Sequence, residues 1–216
     1  MEYTHDHSRN LLASLEHKGW VLLENQTEND LIELIAILGN TILVTNVLVN
    51  PQGKAMVTSA NGLGLHTDHH NAKYILWYCI EQTDKGGETI LMDAEVIFNQ
   101  LASNYQADLH KINLFEHKIF PDDKEFHPLV STLDNGNRVF YYSFWLVNRN
   151  ERENEALLSF QSFIHSSLPI KFKLKIKDIL IIDNHRMLHG RTAIEGSTNR
   201  FLKRYWIQSH KSLNNT

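Results

Sequence analysis

Leu65-His66-Thr67-Asp68 and, far downstream, Asp183-Asn184-His185-Arg186-Met187-Leu188-His189-Gly190-Arg191 are the stretches on which the reading of this chain turns. In an extended backbone successive side chains alternate faces, so His66 and Asp68 project to one side and can grip one metal ion while Thr67 points away. A third ligand must come from elsewhere, and His189 is the candidate. Two imidazoles and a carboxylate on one face of an octahedron leave positions open, a set that suits non-haem Fe(II) chemistry with O2. The tripeptide alone carries little weight. With thirteen histidines and eleven aspartates in 216 residues, His-x-Asp is expected by accident about 0.7 times, so the surrounding pattern has to decide.

Outward from that motif, Gly62 and Gly64 let the backbone approach a ligand closely. Tyr74 to Ile80 reads as a central strand, Lys85-Gly86-Gly87 as a turn, and Glu88 to Met92 as another strand. Upstream, Leu11, Leu12 and Leu15 recur at helical spacing between Ser8 and Lys18, with Gly19 as the stop. Trp20 to Leu23 reads as a buried strand. Thr27 is placed to N-cap a helix through Leu31, Leu34, Ile35 and Leu38, ending at Gly39. Thr41 to Val49 is β-branched and strand-like, and Pro51-Gln52-Gly53 turns the chain.

Downstream, Ala94 to about Leu101 reads as a helix with Val96, Ile97 and Leu101 as its apolar set. Leu114 to Phe120, Leu129 to Leu133 and Arg138 to Phe144 read as strands, the last two joined by the hairpin signal Asp134-Asn135-Gly136-Asn137. A helix is expected from about Glu151 to Ser167. Lys171 to Ile176 alternates as a half-buried strand, Ile179 to Asp183 is an apolar strand, and Phe201 to Gln208 closes the domain. Many short strands with a few helices imply a mainly β, α+β fold with a sandwich or barrel core.

At 216 residues, 42% hydrophobic and 21% charged, the chain is most simply one globular domain over residues 1–216. The formal net charge of −4, with no run of Lys or Arg, argues against a nucleic-acid partner. One cysteine, Cys79, sits in an apolar run, which excludes an intrachain disulfide and reads as core. No window approaches 18 apolar residues, and the N-terminus lacks an apolar signal region, so the expectation is a cytoplasmic protein away from the membrane. The oligomeric state is left open.

The ordered set of motifs resembles the taurine dioxygenase and clavaminate synthase-like family of iron(II)/2-oxoglutarate-dependent oxygenases. The match runs through Gly19-Trp20-Val21-Leu22-Leu23, Leu38-Gly39, Leu65-His66-Thr67-Asp68, Gly86-Gly87-Glu88-Thr89 with Asp93, His127-Pro128-Leu129-Val130, Phe172 to Asp178, Ile182 to Arg191, and finally Arg200 and Arg204, about residues 18 to 208. The resemblance implies a double-stranded β-helix, or jelly-roll, core and a metal triad of His66, Asp68 and His189. It implies Fe(II) as the metal, 2-oxoglutarate as cosubstrate, O2, and a small-molecule substrate. Arg204 takes the place of the arginine that pairs with the distal carboxylate of 2-oxoglutarate, for which a planar guanidinium is bidentate. Arg200 matches a second arginine near the metal-bound carboxylate, and Thr89 a threonine that bonds the distal carboxylate. Asp68 where halogenating relatives have a small residue implies hydroxylation, with desaturation or cyclisation as other outcomes of the same chemistry.

The chain departs from the family at Ile176-Lys177-Asp178, where relatives usually carry a tryptophan and a Gly-Asp pair. It is also short, which implies trimmed lid and substrate-binding insertions and a small, amino-acid-like substrate. His70, Phe144 and Arg191 are substrate candidates. For His70 the competing role is a polar loop, for Phe144 with Tyr142 and Trp145 it is aromatic packing, and for Arg191 it is a structural ion pair. Two other classes remain to be weighed: a non-catalytic jelly-roll module that holds a metal or small acid, and a zinc hydrolase on the same three ligands. Arginine at the fitting offset favours the oxygenase.

Overall fold

Local signals set the first elements. In a computed structural model that describes residues 5–49, 56–197 and 199–210, helix α1 (His5–Lys18) ends where Gly19, at φ +79°, donates its N–H to Leu15 O at 2.8 Å. Glycine takes that left-handed position without strain. A Cβ there would also meet Met187 Sδ at 2.5 Å. After β1 (Trp20–Leu23), α2 (Glu28–Leu38) starts with a capping box: the Asp30 N–H donates to Thr27 Oγ1, and the Thr27 N–H and hydroxyl donate to Asp30 Oδ2 at 2.8 and 2.7 Å. Thr27→Ala should cost about 1 kcal/mol, read as a lower urea midpoint. Those same Thr27 bonds hold the Asp30 carboxyl at about 2, below its ordinary 3.8. The folded value is the lower one, so the stabilisation is complete above the unfolded pKa and fades as pH falls through about 2. The gap in urea midpoint between the wild type and Asp30→Asn should therefore be wider at pH 6 than at pH 3.

Strand β2 (Gly39–Leu48) follows, then β3 (Leu63–His66), β4 (Tyr74–Glu81) and β5 (Thr89–Asp93), the last running into α3 (Ala94–Gln100) and α4 (Ser103–Leu109). Two short hairpin pairs come next, β6 (Asn113–Phe115) with β7 (Phe126–Pro128) and β8 (Val130–Thr132) with β9 (Arg138–Phe140). Helix α5 (Glu155–Ser166), capped by Asn154, leads to β10 (Ile170–Phe172), β11 (Ile179–Asp183), β12 (Met187–Arg191) and β13 (Phe201–Ser209).

Two antiparallel sheets carry the fold, one of five strands in the order β1-β11-β4-β13-β2 and one of four in the order β10-β5-β12-β3. From β3 to β5, and again from β10 to β13, the chain alternates between the sheets. Side-chain parity explains the layers. On β4 and β11, Ile75, Trp77, Cys79, Leu180 and Ile182 face inward and pack with Leu91 and Met187 of the other sheet, forming a core between the sheets. Their alternates Leu76, Tyr78, Ile179 and Ile181 pack outward on α1 and α2 through Leu15, Leu34 and Leu38. On the far side, Met92 and Leu188 meet α3 and α5 through Ile97, Phe98, Leu157 and Phe160. Each fully buried leucine or isoleucine contributes about 1.5–3 kcal/mol of transfer free energy. The same parity turns His189 and Arg191 of β12, Thr89 of β5 and Arg204 of β13 toward the space between the sheets.

Several expectations need adjustment. β1 is an edge strand paired only with β11, and its four residues are half-buried. In α3, Val96 is 53% exposed and Phe98 takes the inward position. The strand expected over 114–120 stops at Phe115, that over 138–144 stops at Phe140, and α5 begins at Glu155 after a 3-10 turn (Arg149–Glu151). Of 171–176, only Lys171 and Phe172 pair, because the chain leaves the sheet toward a turn at Lys177, φ +71°. The expected Pro51-Gln52-Gly53 turn lies outside the described residues. Among the described residues no helix is long and apolar enough to cross a membrane.

Candidate metal centre

His66 and His189 are direct cross-strand partners on β3 and β12, and Leu91 of β5 lies opposite His189 on its other side. The pairing sets the two imidazoles 4.3 Å apart, centroid to centroid. Gly190 makes that close approach possible. A Cβ on it would lie 2.5 Å from Leu63 O, so Gly190→Ala should push β3 off β12, cost about 1–3 kcal/mol and weaken Co(II) binding at least tenfold, measured by titration. A variant with unchanged affinity would show that the register tolerates the shift.

Asp68 lies past the end of β3, so strand alternation alone does not place it. Thr67 turns away, as expected, and accepts the Tyr142 N–H on its hydroxyl at 2.8 Å, while its own N–H donates to Tyr142 O at 2.6 Å. Asn184 fixes the next residue: its Oδ1 accepts the Asp68 N–H at 2.8 Å, and its Nδ2 donates to Ala72 O at 2.9 Å. The Asp68 carboxylate accepts Arg204 Nη1 at 2.9 Å and Trp206 Nε1 at 2.8 Å on Oδ2. Burial by itself would raise the Asp68 pKa, but the Arg204 guanidinium and the His189 and His66 imidazoles outweigh it and hold the carboxyl well below the usual range.

His66, Asp68 and His189 are all buried, and one donor atom from each lies within 4.8 Å of the others. His66 Nε2 is 3.9 Å from Asp68 Oδ1 and His189 Nε2 is 3.6 Å from Asp68 Oδ2. A shell with bonds of about 2.1 Å needs cis donors about 3 Å apart, so small rotations close it. His66 Nδ1 donates to Gly64 O at 2.8 Å, which leaves the lone pair on Nε2. Both nitrogens of His189 are buried without a hydrogen-bond partner among the described residues, an arrangement that is costly unless something else occupies it. Burial, opposed by Asp68, lowers the His66 pKa, and burial together with His66 lowers that of His189, so both rings are neutral at pH 7. The residues fit a divalent metal.

A cavity of about 40 Å³ opens beside the triad, lined among others by His66, Thr89, His189, Arg191, Arg200 and Arg204. Arg204 stands in register between Thr45 and Trp77, and its Nε donates to Thr45 Oγ1 at 3.1 Å. Arg200 is 4% exposed and donates from Nε to Gly87 O at 3.2 Å. Burial and the neighbouring Arg191 push it down to about 10. It has no carboxylate partner among the described residues. Thr89 pairs in register with Arg191. The three residues expected to hold a diacid therefore do share one cavity with His66 and His189.

The substrate candidates fare differently. Arg191 reaches the cavity but donates its guanidinium to the carbonyls of Val57, Ser59 and Asn61, bracing the loop before β3. His70 turns to Asp123, away from the triad. Phe144 is 41% exposed and packs edge-on against Trp145, whose ring lies 4.8 Å from His66. Of the three aromatic candidates Trp145 is thus the one against His66, while Tyr142 is core against Phe160. Trp206 and Asn184 as holders of Asp68, and His117, whose buried Nε2 has no hydrogen-bond partner among the described residues, carried no sequence signal.

The family model for the taurine catabolism dioxygenase TauD, TfdA family, matches residues 2–206. The chain belongs to that family. Human gamma-butyrobetaine dioxygenase is 27% identical over 159 residues, which are 63% of this chain and 41% of that one. The match thus spans less than half the length of the curated relative. Among solved structures, asparagine oxygenase with Fe(II), hydroxyasparagine and succinate superposes with a TM-score of 0.77 at 14% identity, covering 95% of this chain and 80% of that one. A taurine dioxygenase from Burkholderia xenovorans does so with a TM-score of 0.75 at 19% identity, covering 97% and 83%. At such identities the likeness establishes the fold.

Proposed function

We propose that this TauD/TfdA-family protein is an Fe(II)- and 2-oxoglutarate-dependent oxygenase that hydroxylates an unactivated C–H bond of a small, amino-acid-like molecule. The observation that carries it is one cavity lined by Arg200, Arg204 and Thr89 together with His66 and His189, the two imidazoles of a buried two-His-one-Asp set. A zinc hydrolase has no use for the arginines. We read the two alternating antiparallel sheets as a jelly-roll core and the chain as one oxygenase-like domain.

His66, Asp68 and His189 would hold the iron. With 2-oxoglutarate and O2, the bound metal supplies the oxidation, which yields succinate, carbon dioxide and the hydroxylated substrate. Arg204 would take the distal carboxylate of 2-oxoglutarate bidentately, Thr89 would donate its hydroxyl to the same group, and Arg200 would balance the charge of the carboxylate nearer the metal. In the present arrangement the cavity, about 40 Å³, has room for one or two waters, so Arg204 must swing from Asp68 to admit a five-carbon diacid. Trp77 and Val47 close its apolar wall and exclude water. Trp145 and Phe144 are placed to line the substrate side.

Relatives are named for gamma-butyrobetaine and asparagine, and a non-haem iron oxygenase of the same fold is seen in complex with (3S)-hydroxy-L-Arg, which supports an amino-acid-like substrate here. Anaerobic addition of Fe(II) and 2-oxoglutarate should produce a visible metal-to-ligand charge-transfer band, and admission of O2 with an amino-acid panel should release succinate. Tight metal binding with neither signal would instead support a non-catalytic module.

A further inference from the structure

Asp123 lies in the loop between β6 and β7 with its side chain 7% exposed, and three imidazoles converge on its carboxylate. His69 Nε2 lies 2.8 Å from Oδ2, His70 Nε2 2.8 Å from Oδ2 and 3.1 Å from Oδ1, and His127 Nε2 2.8 Å from Oδ1. None of these groups belongs to the His66-Asp68-His189 centre. The His69 ring nitrogen Nδ1 accepts the Asn71 N–H at 3.1 Å, so its Nε2 carries the proton and donates to Asp123. That leaves His70, His127 and the carboxylate as donors. His70 and His127 also form one wall of a cavity of about 190 Å³, which Ser131, Tyr141 and His185 help to line.

We propose that His70, His127 and Asp123 form a second divalent-cation site of the zinc class, with His69 orienting the carboxylate from behind. Imidazole and carboxylate donors select zinc and its late first-row neighbours over calcium or magnesium. With neutral imidazoles the set carries one negative charge at a buried position, which a divalent cation overcompensates and a water at the cavity side can complete. His70 Nε2 and His127 Nε2 both lie within 3.1 Å of the Asp123 carboxylate, and their rings stand 3.6 Å apart, centroid to centroid. In such a site the His70 and His127 nitrogens would make the roughly 2.0–2.1 Å bonds of zinc. The His69 bond to the carboxylate is the kind of outer contact that fixes a ligand's orientation. The role is structural: the cation ties the 117–127 loop to the segment that follows Asp68, which Asn184 in turn anchors.

The test is to strip the purified protein of metal, load it with Co(II), remove excess by dialysis and count cobalt per chain by elemental analysis. Wild type should retain two equivalents, His66→Ala one, Asp123→Asn one, and the double variant none. Trypsin should cut after the exposed Lys118 and Lys124 more slowly with cobalt than without it in wild type and in His66→Ala, and equally with or without it in Asp123→Asn. If Asp123→Asn fails to fold, His127→Gln takes its place, with circular dichroism as the check. Wild type retaining a single equivalent that Asp123→Asn also retains, or cleavage at both lysines indifferent to cobalt, would overturn the proposal and leave the cluster as a hydrogen-bonded clamp.

Discussion

Asp68→Ala is expected to abolish tight Fe(II) binding and to lower the melting temperature of the metal-free protein by about 6–20 °C. The two effects have separate causes. The carboxylate is the only anionic donor of the triad, and removing it leaves two neutral imidazoles that cannot retain a divalent cation against chelators. The stability loss comes from what Asp68 does for its neighbours. Its carboxylate, 6% exposed as a side chain, faces Arg204, 12% exposed, at 2.9 Å and accepts the Trp206 indole N–H at 2.8 Å. Breaking a buried pair by removing one partner costs about 3–5 kcal/mol because the other charge is stranded, and a chain of this size loses about 2–4 °C per kcal/mol. Asp68→Asn keeps an acceptor for the indole and should lose less stability while losing as much metal affinity. Thermal unfolding in a chelator and Co(II) titration separate the two. Equal melting temperatures for wild type and Asp68→Ala would mean that Arg204 finds another partner at little cost.

What could be read in the sequence divides along the range of the interactions. Thr27, Gly19 and Gly39 announce helix ends through local chemistry, and both helices appear where these residues put them. That His66, Asp68 and His189 come together was also legible, because each sits in a motif with neighbours of its own. Their geometry was not. That His66 and His189 are register partners depends on how β3 meets β12, a pairing fixed by the whole sheet. Asp68 was expected to follow from strand alternation, yet Asn184, Trp206 and Arg204 place it, and no spacing rule connects residue 68 to any of them. The strand expected through Ile176 fails for a related reason. Its alternation is real, but the backbone leaves the sheet so that Lys177 and Asp178 can exchange hydrogen bonds with Cys79, and Ile176 is left 59% exposed. The Asp123 cluster joins a loop to residues more than fifty positions away, without motif or periodicity to announce it. β7, three residues ending in a proline, falls below what strand patterns can reveal.

Arg204→Gln is expected to separate the binding of the diacid from that of the metal. As the proposed partner of the distal carboxylate, the guanidinium makes a desolvated, charge-assisted contact whose loss costs about 2–5 kcal/mol, so the dissociation constant of 2-oxoglutarate should rise about 30-fold to several thousand-fold. Arg204→Lys should recover part of that, since lysine supplies the charge without the planar fork. The metal should respond in the opposite direction. Arg204 Nη1 bonds both oxygens of Asp68, at 3.1 and 2.9 Å, and so competes with any cation for the same carboxylate. Removing it should leave Co(II) affinity unchanged or raised in the absence of 2-oxoglutarate. Calorimetric titration of Co(II) alone, and then of 2-oxoglutarate into the cobalt protein, reads the two constants independently. A variant in which both weaken together would point to a collapsed site, with Arg204 as a structural brace between Asp68 and Thr45. A variant in which 2-oxoglutarate still binds as tightly would transfer the anchor to Arg200, a second cavity arginine, which has no carboxylate of its own among the described residues.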